Sequence, residues 1–155
     1  RTQRSDVVRV AQQFVPVLET GVSVVLFLEG TSSDGSAVLP FRSSLLEPIV
    51  RDRLPVTPVA ISYVVPPGHS AATEVCWWGD MTLTPHLLNL LSLPRVHAYV
   101  AWGDPIGGAA DRKDLAARAR AHVSAMHRAM SGCAAASPEA AIQRHPLDPL
   151  PRHSS

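Results

Sequence analysis

The sequence predicts an α/β domain, a layered sheet with flanking helices. Apolar, β-branched runs recur at Val22–Leu28, Leu54–Val65 and Arg95–Gly103. Helical patterns lie between them, as in a chain that alternates strand and helix. Apolar residues make up 46% of the 155 and charged residues 17%, a balance that supports one packed core rather than disorder.

The elements follow in order. Ser5 caps a first helix, with Asp6 in the turn where the macrodipole favours a negative charge. Val7, Val10, Ala11, Phe14 and Leu18 follow at helical spacing, Pro16 interrupts, and Gly21 stops the helix. Val22–Leu28 is too uniformly apolar for a solvated face and reads as a buried strand. A loop rich in Gly, Ser, Thr and Asp follows. Phe41 to Arg53 has a helical pattern that Pro48 breaks. Leu54–Val65 reads as a second buried strand, Pro66–Ser70 as a turn and Thr73–Asp80 as a third strand. Leu83–Leu93 is a short helix with Thr84 as cap and Pro85 at its first position. Arg95–Gly103 alternates as a fourth strand. Asp111 then caps an amphipathic helix with Leu115, Ala119, Val123, Met126 and Met130 on one side, and Gly132 ends it. Residues 1–130 form the domain. Residues 131–155 carry four prolines and read as a flexible Pro-rich tail.

Composition excludes several classes. A formal net charge of +1 gives no basic footprint for nucleic acid. No stretch reaches the roughly eighteen apolar residues of a membrane span, and the first ten residues lack the apolar centre of a signal peptide. Cys76 and Cys133 are too far apart in sequence for a metal knuckle, and Cys76 reads as a small buried hydrophobe. His122 and His127 are five apart, not the four of a helical metal pair, so no metal site is expected.

The loop after Val22–Leu28 reads "LEGTSSDGSAVLPFRSSLL". Ligands of open α/β sheets sit beyond the carboxyl ends of strands, where Glu29 stands. A carboxylate there needs partners, and the Gly30–Gly35 stretch offers backbone N–H groups. The plainer alternative is a turn built on Asp34 and Gly35. The loop is neither a phosphate loop nor a hydrolase elbow, so Ser32 and Ser33 are not read as nucleophiles. Trp77 and Trp78 are read as one ring in the core and one over a sheet edge. Leu87–Pro94 suits a core helix and a bilayer contact equally. Arg112, Arg118, Arg120 and Arg128 read as a solvated face.

Phe27-Leu28-Glu29-Gly30-Thr31-Ser32-Ser33, followed by Leu54-Pro55-Val56-Thr57-Pro58-Val59-Ala60-Ile61, resembles the glycerolipid acyltransferases. These include the 1-acylglycerol-3-phosphate and lysophospholipid acyltransferases, whose third motif is Phe-Pro-Glu-Gly-Thr-Arg-Ser. With "WWGDMTLTPHLL", the chain looks closest to the lyso-ornithine-lipid branch, over roughly residues 1–128. The resemblance implies the glycerolipid acyltransferase αβ fold, here without its N-terminal elements. It implies transfer of a fatty acyl group from acyl-carrier protein or coenzyme A to a lysolipid hydroxyl, at the cytoplasmic face of a membrane. The thioester is a cosubstrate, and no bound cofactor is implied. Arg1, as the last residue of the family's second motif, would bind the acceptor with Glu29, Gly30, Thr31 and Ser32. Pro55, Val56 and Pro58 would wall the site.

Two departures matter. The family's catalytic base, in an Asn-His-x-x-x-x-Asp motif, has no counterpart here. The nearest spacing is His69 with Glu74, after the third motif instead of before it. The catalytic group is therefore expected outside this chain, which alone should be inactive; a noncatalytic lipid- or carrier-binding module is the rival reading. Ser32 replaces the motif's arginine, which removes a bidentate phosphate partner and suits an amino-acid head group better.

Overall fold

The structure is a computed structural model that describes residues 16–136, with side chains through 131. Arg1, the start of the first helix and most of the Pro-rich tail lie outside the described residues. Residues 16–19 are helical, and the Gly21 N–H donates to the Leu18 carbonyl at 2.9 Å, so the helix stops where expected.

The Phe41–Arg53 pattern resolves into a 3-10 turn, Ser43–Leu46, and helix α1, Glu47–Arg51. Pro48 does not break this unit. It lies in the first turn of α1, where its missing N–H costs no helical hydrogen bond. The helix closes through Arg53 N–H to Val50 O (3.2 Å) and Leu54 N–H to Ile49 O (2.9 Å). This closure puts Arg53 in the left-handed region at φ 52°, a conformation usually left to glycine.

Strand β1 is Val59–Val64 and β2 is His97–Trp102. They pair antiparallel, with Val59 opposite Trp102 and Val64 opposite His97. Upstream, Val56 bridges Ile106, so Leu54–Pro58 runs extended into the sheet rather than forming part of the strand. Helix α2 is Ala71–Glu74, α3 is Leu83–Ser92 and α4 is Arg112–Ala136. Helix α4 packs on β1 and on the 3-10 turn. Ala60, Ser62 and Val64 share one sheet face with Ala101, Tyr99 and His97. The other face, with Ile61, Tyr63, Val100 and Trp102, is exposed.

The core gathers Leu28, Leu46, Ile49, Ile106, Leu115, Ala116 and Ala119. Leu46 is completely buried, and Leu115 and Ala119 present the expected stripe of α4 to it.

Four expectations fail. Val22–Leu28 is not a strand, because no backbone hydrogen bond reaches Val22–Leu26 among the described residues and a strand needs a ladder partner. Thr73–Asp80 is not a strand either. The Glu74 carboxylate reaches back to the Ser70 N–H, which favours the single helical turn α2. Thr84 lies inside α3 and Thr82 takes the cap position, without a side-chain cap bond. Helix α4 runs through Gly132, its expected stop, to Ala136. The architecture is a mixed helix and strand fold with a two-stranded antiparallel sheet, a smaller unit than the layered sheet expected.

Candidate acceptor site

The site is built on the neck of the 29–42 loop. Leu28 is buried in the core and fixes one side. Its carbonyl accepts from the Arg42 N–H at 2.7 Å, which ties the loop's two ends together. The chain turns between Phe27 and Gly30 through a 3.1 Å hydrogen bond. Gly30 has φ +66°, and a Cβ there would lie 2.9 Å from both Cδ and Nε of Arg42. Both the backbone and the overlying arginine therefore call for glycine.

Glu29 is half-buried, and its Oε2 accepts from the Leu39 N–H at 2.9 Å. Its Oε1 has no hydrogen-bond partner among the described residues. Leu39 is also held from its other side. Arg120 of α4 donates from Nε to the Leu39 carbonyl (2.9 Å) and from Nη2 to the Val38 carbonyl (3.0 Å). A carboxylate and a guanidinium therefore grip one backbone segment from opposite directions.

The loop tip carries its own turn. Asp34 Oδ1 accepts from the Ser36 N–H at 3.0 Å and from the Ser36 hydroxyl at 2.8 Å. The Ser36 N–H, and then its hydroxyl, hold the Asp34 carboxyl below its usual value. This is the simple Asp-Gly turn, and it coexists with the anchored Glu29. Gly35 lies against Cys76, whose Sγ would be 3.2 Å from an added Cβ. Burial, and then the nearby Asp34, push the Cys76 thiol up, and the side chain is half-buried, short of the full burial expected.

Of the acceptor residues read from sequence, Glu29 and Gly30 are brought together at the neck. Thr31 and Ser32 are exposed on the outer limb, with Thr31 Oγ1 3.5 Å from the Ser32 carbonyl. Val56 packs on the core cluster that holds Leu28. Pro58 is buried and its carbonyl accepts from the Gly103 N–H, whereas Pro55 is exposed. Arg42, whose place after the loop suits a counter-charge to Glu29, stands over Gly30 with no ion pair among the described residues. One functional group escapes sequence reasoning. Arg120 gave no local signal, since its partners lie 81 and 82 residues away.

His69 and Glu74 do meet, with Nδ1 and Oε1 2.9 Å apart. The bond from His69, and then the Ser70 N–H, lower the Glu74 carboxyl. The pair sits at the surface, beside the turn that starts α2. Among the described residues no group of His, Cys, Asp and Glu could hold a metal ion, and no helix is long and apolar enough to cross a membrane.

The Acyltransferase family model matches residues 1–62, which contain Glu29, Gly30 and Arg42. The acyltransferase family match thus falls on the N-terminal part of this chain. The similarity continues beyond it. A lyso-ornithine lipid O-acyltransferase of Brucella abortus (strain 2308) is 35% identical over 129 residues, 75% of this chain and 48% of that protein. One from Rhodobacter capsulatus is 34% identical over 113 residues, 68% of this chain and 41% of that protein. One from Rhizobium meliloti (strain 1021) is 35% identical over 101 residues, 57% and 34% respectively. The chain thus spans about half or less of the curated relatives it matches. No solved structure matches it.

Proposed function

We propose that this chain is the acceptor-binding part of an O-acyltransferase that moves a fatty acyl group from acyl-carrier protein or coenzyme A to a lysolipid hydroxyl. The acceptor is lyso-ornithine lipid, in preference to 1-acylglycerol-3-phosphate, and the site works at the cytoplasmic face of a membrane. One observation carries the reading. The Arg42 side chain overlies Gly30, and the neighbouring Glu29 carboxylate is anchored on the Leu39 N–H, within a loop whose neck is fixed by the core.

An ornithine head group is zwitterionic. Its ammonium suits the Glu29 oxygen that Leu39 does not use, and its carboxylate suits the Arg42 guanidinium. The Leu39 N–H and Arg120 hold the loop in place beforehand, which lowers the ordering cost of binding. By the family resemblance Arg1, Thr31 and Ser32 would join the acceptor side, with the Pro55–Pro58 stretch behind it. The hydroxyl must lose a proton as it attacks the thioester carbonyl, and the group that takes it lies outside this chain. Without its base, such chemistry slows by roughly 10² to 10⁴-fold, so the chain alone is expected to bind but not to turn over.

The absent His-x-x-x-x-Asp motif favours one second reading, a module that binds lipid or acyl-carrier protein without catalysis. Calorimetric titration of the chain with monomeric short-chain lyso-ornithine lipid and with 1-acylglycerol-3-phosphate tests the acceptor assignment. The ornithine compound is expected to bind at least tenfold tighter, and Glu29→Gln and Arg42→Ala each weaken it at least fivefold. Tighter binding of the phosphate acceptor, or equal binding by all three proteins, would overturn it.

A further inference from the structure

Helix α3 is inside out. Its buried side chain is a histidine, His86, at 8% exposure, while Leu83, Leu87, Leu88 and Leu91 are 45% to 72% exposed. On a helical wheel these four leucines, with exposed Thr84 among them, cover one side, and His86 with half-buried Leu90 forms the side turned to the protein. Met81 to Pro94 contains no charged residue, with Asp80 before it and Arg95 after it. A helix in water normally makes the opposite choice, so the outward side is shaped for an apolar medium.

The adjoining turn has the same character. Trp77 and Trp78 are 48% and 38% exposed. Their indole N–H groups are already occupied, by the Met81 carbonyl at 2.7 Å and the Ala72 carbonyl at 2.9 Å. The rings can therefore enter an apolar phase without stranding a donor. Helix α2, which Trp78 clasps, packs against α3.

We propose that α3 and the Trp77–Trp78 turn form a lipid-surface docking element, lying in the plane of the bilayer with Leu83, Leu87, Leu88 and Leu91 among the acyl chains. This rests on the lysolipid reading above and names the part of the protein that meets the membrane. Two observations favour lipid over a second copy of the chain. The four leucines and two indoles together offer on the order of 600 Å², short of the roughly 800 Å² that each partner of a stable protein complex buries. Between Trp77 and Pro94 the single charged residue is Asp80, too little for the charged rim that sets orientation between proteins. With one carboxylate and no lysine or arginine, the element inserts through apolar burial, so its binding is only weakly sensitive to salt.

Flotation of the 155-residue chain with phosphatidylcholine vesicles, with and without phosphatidylglycerol, tests this. The chain is expected to float with both kinds, and to keep doing so when salt is raised from 0.1 to 0.5 M. Leu88→Glu/Leu91→Glu, at two exposed positions, is expected to weaken partitioning at least tenfold with an unchanged circular dichroism spectrum. Val100→Glu, on the open sheet face, leaves it unchanged. Three results would each overturn the proposal: no flotation, binding to phosphatidylglycerol alone that salt abolishes, or a dimer in ultracentrifugation that the double variant dissolves. The lysolipid reading is judged separately, by titration with monomeric acceptor in the absence of vesicles. Vesicle binding with no acceptor binding supports the docking element and removes that reading. Acceptor binding without flotation does the reverse.

Discussion

Substituting Gly30 by alanine probes the neck of the loop with a single methyl group. Two costs arise. A non-glycine residue at φ +66° pays about 1–2 kcal/mol for the left-handed conformation. The new Cβ would also meet Arg42 Cδ and Nε at 2.9 Å. These atoms belong to an exposed, flexible side chain, so relief by moving it costs only about 0.5–1.5 kcal/mol. Gly30→Ala is therefore expected to destabilise the protein by roughly 1.5–3.5 kcal/mol. The two parts separate in a cycle with Arg42→Ala. In the Arg42→Ala background the alanine costs only the backbone share, about 1–2 kcal/mol. Urea unfolding followed by tryptophan fluorescence reads both values. A Gly30→Ala protein within about 0.3 kcal/mol of wild type would refute the reasoning, because an unstrained alanine means the turn does not have this geometry.

Further expectations concern the scaffold. Leu46→Ala empties the most enclosed position of the core and should cost about 2–5 kcal/mol in the same urea assay. Arg53→Gly should raise stability by about 1 kcal/mol, since it removes the left-handed strain at the end of α1 without touching a packed side chain. Asp111 Oδ1 accepts from the Lys113 and Asp114 N–H groups at the start of α4, and these bonds, that from Asp114 first, hold its carboxyl below the usual carboxylate value. A depressed carboxyl stabilises the fold above its unfolded value, and that contribution disappears as the pH falls through the lowered folded value. Asp111→Asn should keep the cap and flatten the stability profile below pH 4, whereas Asp111→Ala should lower the melting temperature at pH 7; thermal melts from pH 2 to 7 check both.

The sequence was most readable where a local rule decides the structure. Asp111 sits one residue before α4 and caps it through its own carboxylate. The alternation of Arg95–Gly103 became β2, and Val59–Val64 within the longer apolar run became its partner. It was least readable where the outcome depends on a distant partner. Val22–Leu28 has the composition of a buried strand, yet composition cannot supply the neighbour that a ladder requires. One of Trp77 and Trp78 was expected in the core and the other over a sheet edge, but both lie exposed, on a segment that forms no strand. Glu29 and Gly30 could be picked out by their place after an apolar run and by a motif. Arg120 could not, because it looks like any other arginine on a solvated helix until the fold brings it to the Val38 and Leu39 carbonyls.

The central claim is that the Glu29–Arg42 loop is the acceptor site of a lysolipid acyltransferase. The most direct measurement replaces the matching segment of the Brucella abortus relative with this chain and follows acyl transfer from labelled acyl-carrier protein to lyso-ornithine lipid. The account predicts ornithine lipid formation by the chimera, at least tenfold reduced by Glu29→Gln. A folded chimera that forms no product, beside a parent that does, would contradict it.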